Sequence, residues 1–255
     1  MTYIDAVVLG IIEGLTEFLP ISSTAHLILA GEVLGIPSSE FLKSFDIAIQ
    51  LGAICSVVVL FARSFLDFEV LKRLVIAFVP TGVIGFLFYA LVKSFLLESI
   101  PTIVFALALG GVALIVFEYF HREETEETPV SAISLKHAFG IGIFQSLGMI
   151  PGVSRSGATI IGGLLLGIPR TTIVEFSFLL AVPTMIAATG YDLFKNASTF
   201  TLENISVLAV GFVVSFVVAI LAIKFLLSYV RTHTFVSFGI YRILAAAMFW
   251  LILIV

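Results

Sequence analysis

The chain has 255 residues, of which 60% are hydrophobic and 12% are charged, and its formal net charge is −4. Soluble globular domains carry about 25% charged residues, so this composition indicates an integral membrane protein. The basic residues are few and scattered, which argues against nucleic-acid binding. A single cysteine, Cys55, excludes an internal disulfide framework.

Apolar runs recur along the whole chain, near the ~20 residues that a membrane-spanning helix needs. They lack the two-residue alternation of a membrane β-barrel, so we predict an all-α polytopic membrane protein. The predicted segments are 3–19, 22–36, 44–62, 74–92, 101–120, 138–150, 157–168, 173–190, 205–227 and 235–255. Two pairs of segments are interrupted, one at Leu19-Pro20 and one at Pro151-Gly152. Their pieces are short for full spans, which favours hairpins that enter and leave the membrane on one side.

The two halves of the chain are similar. A shift of 132 positions places 10–37 on 142–169 without a gap, and ten of the 28 positions are identical. We interpret the chain as a single membrane domain, 1–255, with internal repeats 1–121 and 137–255 joined by an acidic linker, 122–136. Each repeat would contain one re-entrant helical hairpin and three transmembrane helices. An odd number of spans inverts the second repeat, and such inverted repeats form sites at the membrane midplane.

The basic residues predict the orientation. If the loop at 63–73 is cytoplasmic, seven basic residues are predicted on the inside of the membrane and three on the outside. Those inside are Arg63, Lys72, Arg73, Arg122, Lys136, Arg170 and Arg231, and those outside are Lys43, Lys93 and Lys195. The positive-inside rule then places both termini outside. Arg170 is predicted at a membrane interface. Arg242, near the start of the last segment, is predicted to extend its charged end towards an interface.

Residues 10–26 place two carboxylates, Glu13 and Glu17, in an apolar run, followed by a turn at Pro20 and by Ser22, Ser23, Thr24 and His26. Residues four apart share one helix face, and an ionisable group inside a membrane segment indicates function. The alternative is a helix end at the interface, with both carboxylates in water. The pair could hold a divalent cation, or one carboxylate could act as a general base.

The hydroxyls after Pro20 could simply cap the next helix, bind a phosphate at its N-terminus or include a nucleophile. A lone buried histidine is usually structural, but His26 lies so close to the serines that we interpret it as a site residue.

A second polar stretch, 151–159, places Arg155 between Ser154 and Ser156. Arginine in a membrane segment needs a partner. One interpretation is an internal salt bridge to Glu13 or Glu17, and the other is a bidentate clamp on phosphate oxygens. Gln50, in an apolar run, could line the site or mark a helix end. Gln145, which aligns with Glu13, is predicted to hydrogen-bond in the core. Together these stretches predict a site for a phosphorylated group inside a membrane protein.

Four stretches of the chain resemble the undecaprenyl-diphosphate phosphatases of the bacitracin-resistance type. Glu-Gly-Leu-Thr-Glu-Phe-Leu-Pro-x-Ser-Ser-Thr-x-His at 13–26 is similar to the first signature of that family, and Pro-Gly-x-Ser-Arg-Ser-Gly-Ala-Thr at 151–159 to the second. Ile-Gln-Leu-Gly-Ala at 49–53 and Phe-Ser-Phe-Leu-Leu-Ala-Val-Pro-Thr at 176–184 also resemble the family. The resemblance covers nearly the whole chain; the acidic linker has no counterpart.

The resemblance implies hydrolysis of undecaprenyl diphosphate, a C55 polyprenyl diphosphate, to the monophosphate and inorganic phosphate. This reaction recycles the lipid carrier for cell-wall peptidoglycan synthesis, with bacitracin resistance as a consequence. It also implies a plasma (inner) membrane location, a site facing outward and a divalent cation, Mg or Ca. The implied catalytic residues are Glu13, Glu17, Ser23, His26 and Arg155, with Glu13 and Glu17 as the metal ligands. The implied substrate-binding residues are Ser22, Thr24, Ser154, Ser156, Thr159 and Gln50.

Several alternatives stay open at this point. Ser23 could attack the terminal phosphorus or orient a water, and Glu17 or His26 could take the proton. A transporter such as a lipid-phosphate flippase could use the same residues, because inverted repeats are also typical of carriers. Membrane phosphatases of the acid-phosphatase type use two histidines, and here only His26 lies in a motif. The polyprenyl diphosphate and membrane lipid are the predicted partners, and a homodimer is compatible with the sequence.

Overall fold

The computed structural model describes residues 1–37, 39–91, 99–121, 127–195 and 202–253. In those ranges the chain is helical and contains no strand. Ten α-helices are present there, namely α1 (Tyr3–Thr16), α2 (Ser23–Val33), α3 (Glu40–Leu60), α4 (Phe68–Leu91), α5 (Ile100–Phe120), α6 (Leu135–Ser146), α7 (Arg155–Leu165), α8 (Arg170–Lys195), α9 (Leu202–Tyr229) and α10 (Val236–Leu253). The predicted all-α membrane class is therefore confirmed. The acidic run 122–126 of the predicted linker lies outside the described residues.

Six of the described helices, α3, α4, α5, α8, α9 and α10, are long and apolar enough to cross a membrane. The other four are shorter than the ~20 residues that a span requires. They contain 14, 11, 12 and 11 residues for α1, α2, α6 and α7. These four helices are the predicted interrupted pairs, and they fall at the predicted places in the chain.

The two interruptions share an unusual backbone. Ser22 precedes α2 with φ 71° and Ser154 precedes α7 with φ 79°, and these are the non-glycine residues with positive φ in the described part of the chain. Such values are uncommon outside glycine and cost free energy. The helices also end alike, at Gly35 (φ 65°) and Gly167 (φ 76°), where a left-handed residue closes the last turn. Both pairs of residues are 132 positions apart in the chain.

The helices pack mainly between the two halves of the chain, α1–α5 and α6–α10. Helix α1 packs on α9, whereas α6, its counterpart, packs on α4; α3 packs on α8, and α5 on α10. Glycines allow the short helices to approach closely. A Cβ on Gly14 would lie 2.7 Å from the carbonyl oxygen of Ser215, and one on Gly142 would lie 2.0 Å from that of Ala77. Larger residues at these positions would push α1 and α6 away from the long helices.

The main apolar core encloses the first interruption. Phe18, which is fully buried, contacts Phe178 of α8 edge-to-face with ring centroids 5.3 Å apart. Such aromatic pairs contribute ~0.5–1.5 kcal/mol beyond the area that they bury. The broken backbone of the first hairpin is thus buried in protein, the condition under which a membrane tolerates it.

Arg170, predicted at a membrane interface, is the first residue of α8 and is buried in protein. Arg170 and Glu118 are 6% and 8% exposed, and both terminal nitrogens of the guanidinium donate to the carboxylate. One oxygen of Glu118 also accepts the backbone N–H of Phe235, at 2.8 Å, and the guanidinium lies over the Phe235 ring. The pair therefore joins α5 and α8 to the residue before α10. These further contacts stabilise the two buried charges, which need hydrogen-bond partners in addition to each other.

Candidate active site

Glu17 lies where the two interruptions meet. It follows the last turn of α1, Ser23 begins α2, and Arg155 begins α7. Ser23 Oγ donates to Glu17 Oε2 at 2.5 Å, and Arg155 Nη2 donates to Glu17 Oε1 at 2.7 Å. The side chains of Glu17 and Arg155 are only 6% and 13% exposed, so water screens their attraction weakly. Two predicted motifs separated by more than a hundred residues therefore share one carboxylate.

The salt bridge to Glu17, one of the two interpretations of Arg155, is present. It does not use the whole guanidinium. Nη1 donates to the carbonyl oxygen of Ser177 at 3.0 Å, and Nε has no hydrogen-bond partner. Because Arg155 also lines a cavity, the same group can hold Glu17 and still offer N–H donors to an anion.

The cavity has a volume of about 670 Å³ and contains seven of the predicted site residues in its lining. Besides Glu17 and Arg155, these are Ser22, Ser23, Thr24, Gln50 and Ser154. The volume lies in the range of ~300–1,000 Å³ that is usual for small-molecule sites. The four other predicted residues, Glu13, His26, Ser156 and Thr159, are buried and do not belong to this lining.

Glu13 lies one helical turn before Glu17 and is completely buried. No donor lies at hydrogen-bond distance from either oxygen of its carboxylate, and the carboxylate of Glu17 is its strongest electrostatic neighbour. Asp46 of α3 lies within electrostatic reach, and its Oδ1 also lacks a partner. A buried carboxylate without partners is costly, so a cation or a proton at Glu13 would stabilise it. Within the described residues no group of three His, Cys, Asp or Glu side chains forms a metal cage.

Both ring nitrogens of His26 have hydrogen-bond partners. Nδ1 is 2.8 Å from the carbonyl oxygen of Ser22, and Nε2 is 2.8 Å from the hydroxyl of Tyr241. Since a carbonyl only accepts, Nδ1 carries the proton, and in the neutral ring Nε2 accepts from Tyr241. His26 thus holds the left-handed turn at Ser22, whereas Glu17 is the group hydrogen-bonded to Ser23. Of the two bases left open by the sequence, this geometry favours Glu17.

The serines of the second interruption hold the two hairpins together. Ser154 Oγ accepts the N–H of Gly157 at 3.1 Å and lies 3.1 Å from Ser156 Oγ. Ser156 Oγ donates to the carbonyl oxygen of Leu19 in the first hairpin, at 2.9 Å. Thr159 Oγ1 donates to the carbonyl oxygen of Arg155 at 2.8 Å. Ser156 and Thr159 therefore position Arg155 and the turn around it.

Sequence reasoning missed the role of Arg242, and the prediction that it extends towards an interface is wrong. Its side chain is 1% exposed and donates to five backbone carbonyls. These belong to both interruptions and to α5, namely Pro20 (3.1 Å), Gly152 (2.7 Å), Val153 (2.9 Å), Leu107 (3.1 Å) and Ala106 (3.3 Å). A Cβ on Gly110 would lie 1.9 Å from Nη2. Gly110 is 132 positions before Arg242, and this pairing of an arginine with a glycine was the available signal.

Gln145, the counterpart of Glu13, lines the cavity as well as bonding in the core. Its amide nitrogen donates to Thr81 Oγ1 at 3.0 Å and to Thr184 Oγ1 at 3.1 Å. Both hydroxyls donate elsewhere, to the carbonyl oxygens of Gly142 and Leu180. The amide orientation is therefore fixed, and Oε1 has no hydrogen-bond partner. The site thus includes three polar residues, Thr81, Gln145 and Thr184, that were not among the predicted site residues.

Fold and site together define a class: polytopic helical membrane proteins with a buried carboxylate, arginine and serine cluster beside an internal cavity. Comparison with known proteins is more specific. The family model described as "Bacitracin resistance protein BacA" matches residues 6–248. This protein belongs to that family, which confirms the resemblance seen in its motifs.

Curated relatives match over almost their full length. A protein of Sulfurihydrogenibium sp. (strain YO3AOP1) is 52% identical over 98% of this chain and 99% of its own. Proteins of Wolinella succinogenes and Aquifex aeolicus are 51% and 50% identical, over 98% of this chain and 97% and 98% of theirs. All three relatives are named "Undecaprenyl-diphosphatase".

Proposed function

We propose that this protein hydrolyses undecaprenyl diphosphate, or a similar polyprenyl diphosphate, to the monophosphate and inorganic phosphate. The observation that carries the proposal is the contact of Glu17 with both Ser23 and Arg155 beside a cavity in an apolar bundle. This contact supports the proposal because a hydroxyl, a carboxylate and a guanidinium meet beside a space that a phosphate can enter. The names of the relatives support the same substrate. The reaction recycles the lipid carrier for cell-wall synthesis, and bacitracin resistance is its expected consequence.

Charge neutralisation is the first requirement of this chemistry, because phosphoryl transfer depends mainly on positioning and electrostatic stabilisation. Arg155 offers its guanidinium to the cavity. The start of α2 offers backbone N–H groups, since Ser22 makes no side-chain cap there. Free N–H donors and the positive end of a helix suit a phosphate. At α7, by contrast, Ser154 caps the helix through Gly157, so we assign the phosphate to the α2 terminus.

Ser23 and Glu17 provide the transfer step. Ser23 Oγ attacks the terminal phosphorus, its proton passes to Glu17, and the bond from that phosphorus to the bridging oxygen breaks. The polyprenyl monophosphate leaves, and water then releases phosphate from the serine. In the alternative route Ser23 orients a water that attacks directly. Both routes use the hydrogen bond between Ser23 and Glu17, and in both His26 positions the turn.

A divalent cation, Mg or Ca, fits the donor set. Glu13 has two buried carboxylate oxygens without partners, one turn from Glu17. Magnesium is usually held by one or two carboxylates together with water and substrate phosphates, so a complete protein cage is not needed. Glu13 and Glu17 would hold the cation, which would supply charge neutralisation to the diphosphate.

The finer architecture that we propose is an inverted repeat, with α1–α2 and α6–α7 as re-entrant hairpins. The support is the spacing of 132 positions between Ser22 and Ser154 and between Gly35 and Gly167, together with the exchanged packing of the halves. Repeats 1–121 and 137–255 are the units of this proposal. The homodimer stays a prediction from the sequence.

The proposed membrane is the plasma (inner) membrane, with the site facing outward. The cavity is lined by the first half of α3 and by the second halves of α4 and α8. Arg63 lies in the loop between α3 and α4, and Lys72 and Arg73 lie in the first turns of α4. All three are at the ends of these helices that are opposite to the cavity. If that loop is cytoplasmic, as the positive-inside rule indicates, the cavity opens on the outer side.

Phosphate release from C55 diphosphate by the purified protein in detergent tests the proposal, since detergent permits no transport. We expect release that stops on addition of a chelator and returns with Mg or Ca. Release that is insensitive to chelators would support the hydrolase activity and contradict a role for the cation. Failure of a folded sample to release phosphate with any divalent metal would favour a lipid-phosphate carrier.

A further inference from the structure

The turn at Ser22 is held differently from its counterpart at Ser154, although both residues have positive φ, at 71° and 79°. Ser154 holds its turn with its own hydroxyl, which accepts the N–H of Gly157 at 3.1 Å. Ser22 makes no such cap, and its carbonyl oxygen instead accepts the Nδ1–H of the His26 ring at 2.8 Å. The position that corresponds to His26 in the second half is Ala158, which has no ring to offer.

An unused cap suits the phosphate that we assign to the start of α2. If the Ser22 hydroxyl bonded to the first turn of α2, it would occupy one of the N–H groups that the phosphate needs. The turn therefore has to be held by other contacts, because a left-handed serine persists only where its surroundings fix it. His26 supplies this support, so the orientation of its ring bears directly on the position of the phosphate site.

Tyr241 of α10 fixes that orientation. Its hydroxyl lies 2.8 Å from Nε2 of His26, and its ring stacks on the imidazole with centroids 5.6 Å apart and planes at 10°. Because the Nδ1 proton faces the carbonyl of Ser22, Nε2 of the neutral ring is an acceptor and Tyr241 donates to it. His26 is buried, so Nε2 would be a costly unpaired acceptor without this hydroxyl. Tyr241 thus fixes both the tautomer and the plane of the ring.

The next residue of α10 holds the same turn at a second point. Arg242 donates to the carbonyl oxygen of Pro20 at 3.1 Å, while Tyr241, through His26, holds the carbonyl of Ser22. Two consecutive residues of α10 therefore fix two carbonyls of one turn. Helix α10 is apolar and long enough to cross a membrane. The start of α2 is thus fixed to a long helix as well as to its own hairpin.

We propose that Tyr241 is a positioning residue of the active site, which acts through His26 on the turn at Ser22 and so places the start of α2 for the phosphate. It lies outside the cavity lining and is 45% exposed, so it touches no reacting atom. The proposal rests on the proposed function, because the phosphate is the ligand that this turn places. Loss of the hydroxyl is therefore expected to reduce activity without unfolding the protein.

Tyr241→Phe is the test variant, since it removes the hydroxyl and keeps the stacked ring. Tyr229→Phe is its matched control. The ring of Tyr229 also stacks on a histidine, His233, with centroids 4.4 Å apart, and its hydroxyl lies 2.7 Å from Ser237 Oγ. Tyr229 ends α9 and lies outside the cavity lining.

Steady-state kinetics in detergent compare the two variants. We expect Tyr241→Phe to lower kcat/KM for C55 diphosphate about tenfold, because loss of an orienting hydrogen bond displaces the groups that it holds. Tyr229→Phe should behave as wild type, and both variants should melt within a few degrees of it. An unchanged kcat/KM of Tyr241→Phe would overturn the proposal.

A double-mutant cycle separates positioning of the turn from a general structural role. Glycine adopts φ 71° without strain, so in a Ser22→Gly background the turn needs less support. We expect Tyr241→Phe to lower kcat/KM by no more than about threefold in that background, since residues that act on one element are not additive. An equal loss in both backgrounds would overturn the proposal, because a general structural role would not depend on the residue at position 22.

Nitrogen NMR tests the contact without turnover. The protein is prepared with isotope-labelled histidine, and the signals of His26 are those that disappear in His26→Asn. In the wild type at neutral pH we expect a proton on Nδ1, and in Tyr241→Phe a shift of the Nε2 signal to higher frequency as its hydrogen bond is lost. An Nε2 signal that does not shift would overturn the proposal. If the wild type released no phosphate from any polyprenyl diphosphate, the proposed function would fail, and the Nε2 signal would still show whether Tyr241 holds His26.

Discussion

At the scale of single residues, Glu17 contacts both a hydroxyl and a guanidinium. The sequence alone left the base undecided between Glu17 and His26, and the partner of Arg155 undecided between Glu13 and Glu17. It accepts a hydrogen bond from the hydroxyl of Ser23 and forms an ion pair with Arg155. Removing one partner of a buried ion pair leaves the other charge uncompensated and costs ~3–5 kcal/mol. Substitutions at Glu17 therefore need to keep the shape of the side chain if activity is to be separated from folding.

The first prediction concerns Glu17→Gln, which keeps the size and one acceptor oxygen but removes the base. We expect turnover to fall by at least ~10², the usual contribution of a general base. Phosphate release from C55 diphosphate measures it, and thermal unfolding in detergent checks the fold. Glu32→Gln, at an exposed position on α2, is the control and should retain full activity. Normal turnover of the Glu17→Gln protein would show that Glu17 is not the base of the reaction.

The second prediction separates the neighbouring serines. Ser23→Ala removes the hydroxyl that contacts Glu17, and we expect turnover to fall by at least ~10², as loss of a transition-state contact does. Ser22→Gly should keep activity within tenfold and should not lower stability, because glycine adopts φ 71° without strain. Turnover numbers and melting temperatures of both variants give the answer. Equal, mild losses of activity would argue against a serine nucleophile.

At the scale of helices, the short elements depend on close approach rather than on their own length. Isolated helices of 11 to 14 residues are marginal in water, so α1, α2, α6 and α7 are stabilised by their packing. Gly14 and Gly142 bring α1 and α6 onto α9 and α4. The hydrogen bond from Ser156 to the carbonyl of Leu19 then joins one hairpin to the other.

The third prediction tests the junction of the two interruptions with α5. Gly110→Ala would place a Cβ 1.9 Å from Arg242 Nη2 and displace the guanidinium from its carbonyl partners. We expect a loss of ~1–3 kcal/mol in the free energy of unfolding, the usual cost of overpacking. Thermal unfolding of the purified protein measures the loss. Gly190→Ala, in open space, should be neutral or slightly stabilising; equal melting temperatures for the two variants would contradict the prediction.

The sequence predicted the elements around the site better than the contacts within it. The interrupted helices, and the presence of Glu17, Ser23 and Arg155 around one cavity, follow from motifs with a polar signal in an apolar background. The position of Glu13 behind the cavity lining does not follow from the motifs. Helical periodicity predicts which face of a helix a residue occupies, but not how far that face lies from a cavity. The contact of His26 with Ser22 and the five contacts of Arg242 use backbone carbonyls, so no side-chain motif reveals them, and for Arg242 only the glycine at 110 is a sequence signal.

At the scale of the whole molecule, the two halves differ where the chemistry occurs. Glu13 and Glu17 of the first half correspond to Gln145 and Met149 of the second. Arg155 corresponds to Ser23, so each half supplies what the other lacks. We infer that the active site needs both repeats, and that a single repeat expressed alone has no complete site.

The fourth prediction concerns the orientation of the molecule in the membrane. In a Cys55→Ser background, Tyr3→Cys and Glu32→Cys mark the two ends of the first hairpin, and Leu66→Cys marks the loop between α3 and α4; all three positions are exposed. We expect a membrane-impermeant thiol reagent added outside spheroplasts to label the first two and to reach Leu66→Cys only after permeabilisation. Labelling of Tyr3→Cys and Glu32→Cys from opposite sides would show that α1 and α2 span the membrane together.

The five carbonyl contacts of Arg242 have a consequence for how this family can vary. Every partner of the guanidinium is a main-chain oxygen, present whatever side chain stands at the position. A substitution at Ala106, Leu107 or Val153 therefore leaves the acceptor oxygen itself in place. A mutational scan of side chains would therefore attribute this link between the two halves to Arg242 and Gly110, because its acceptors are not side-chain atoms.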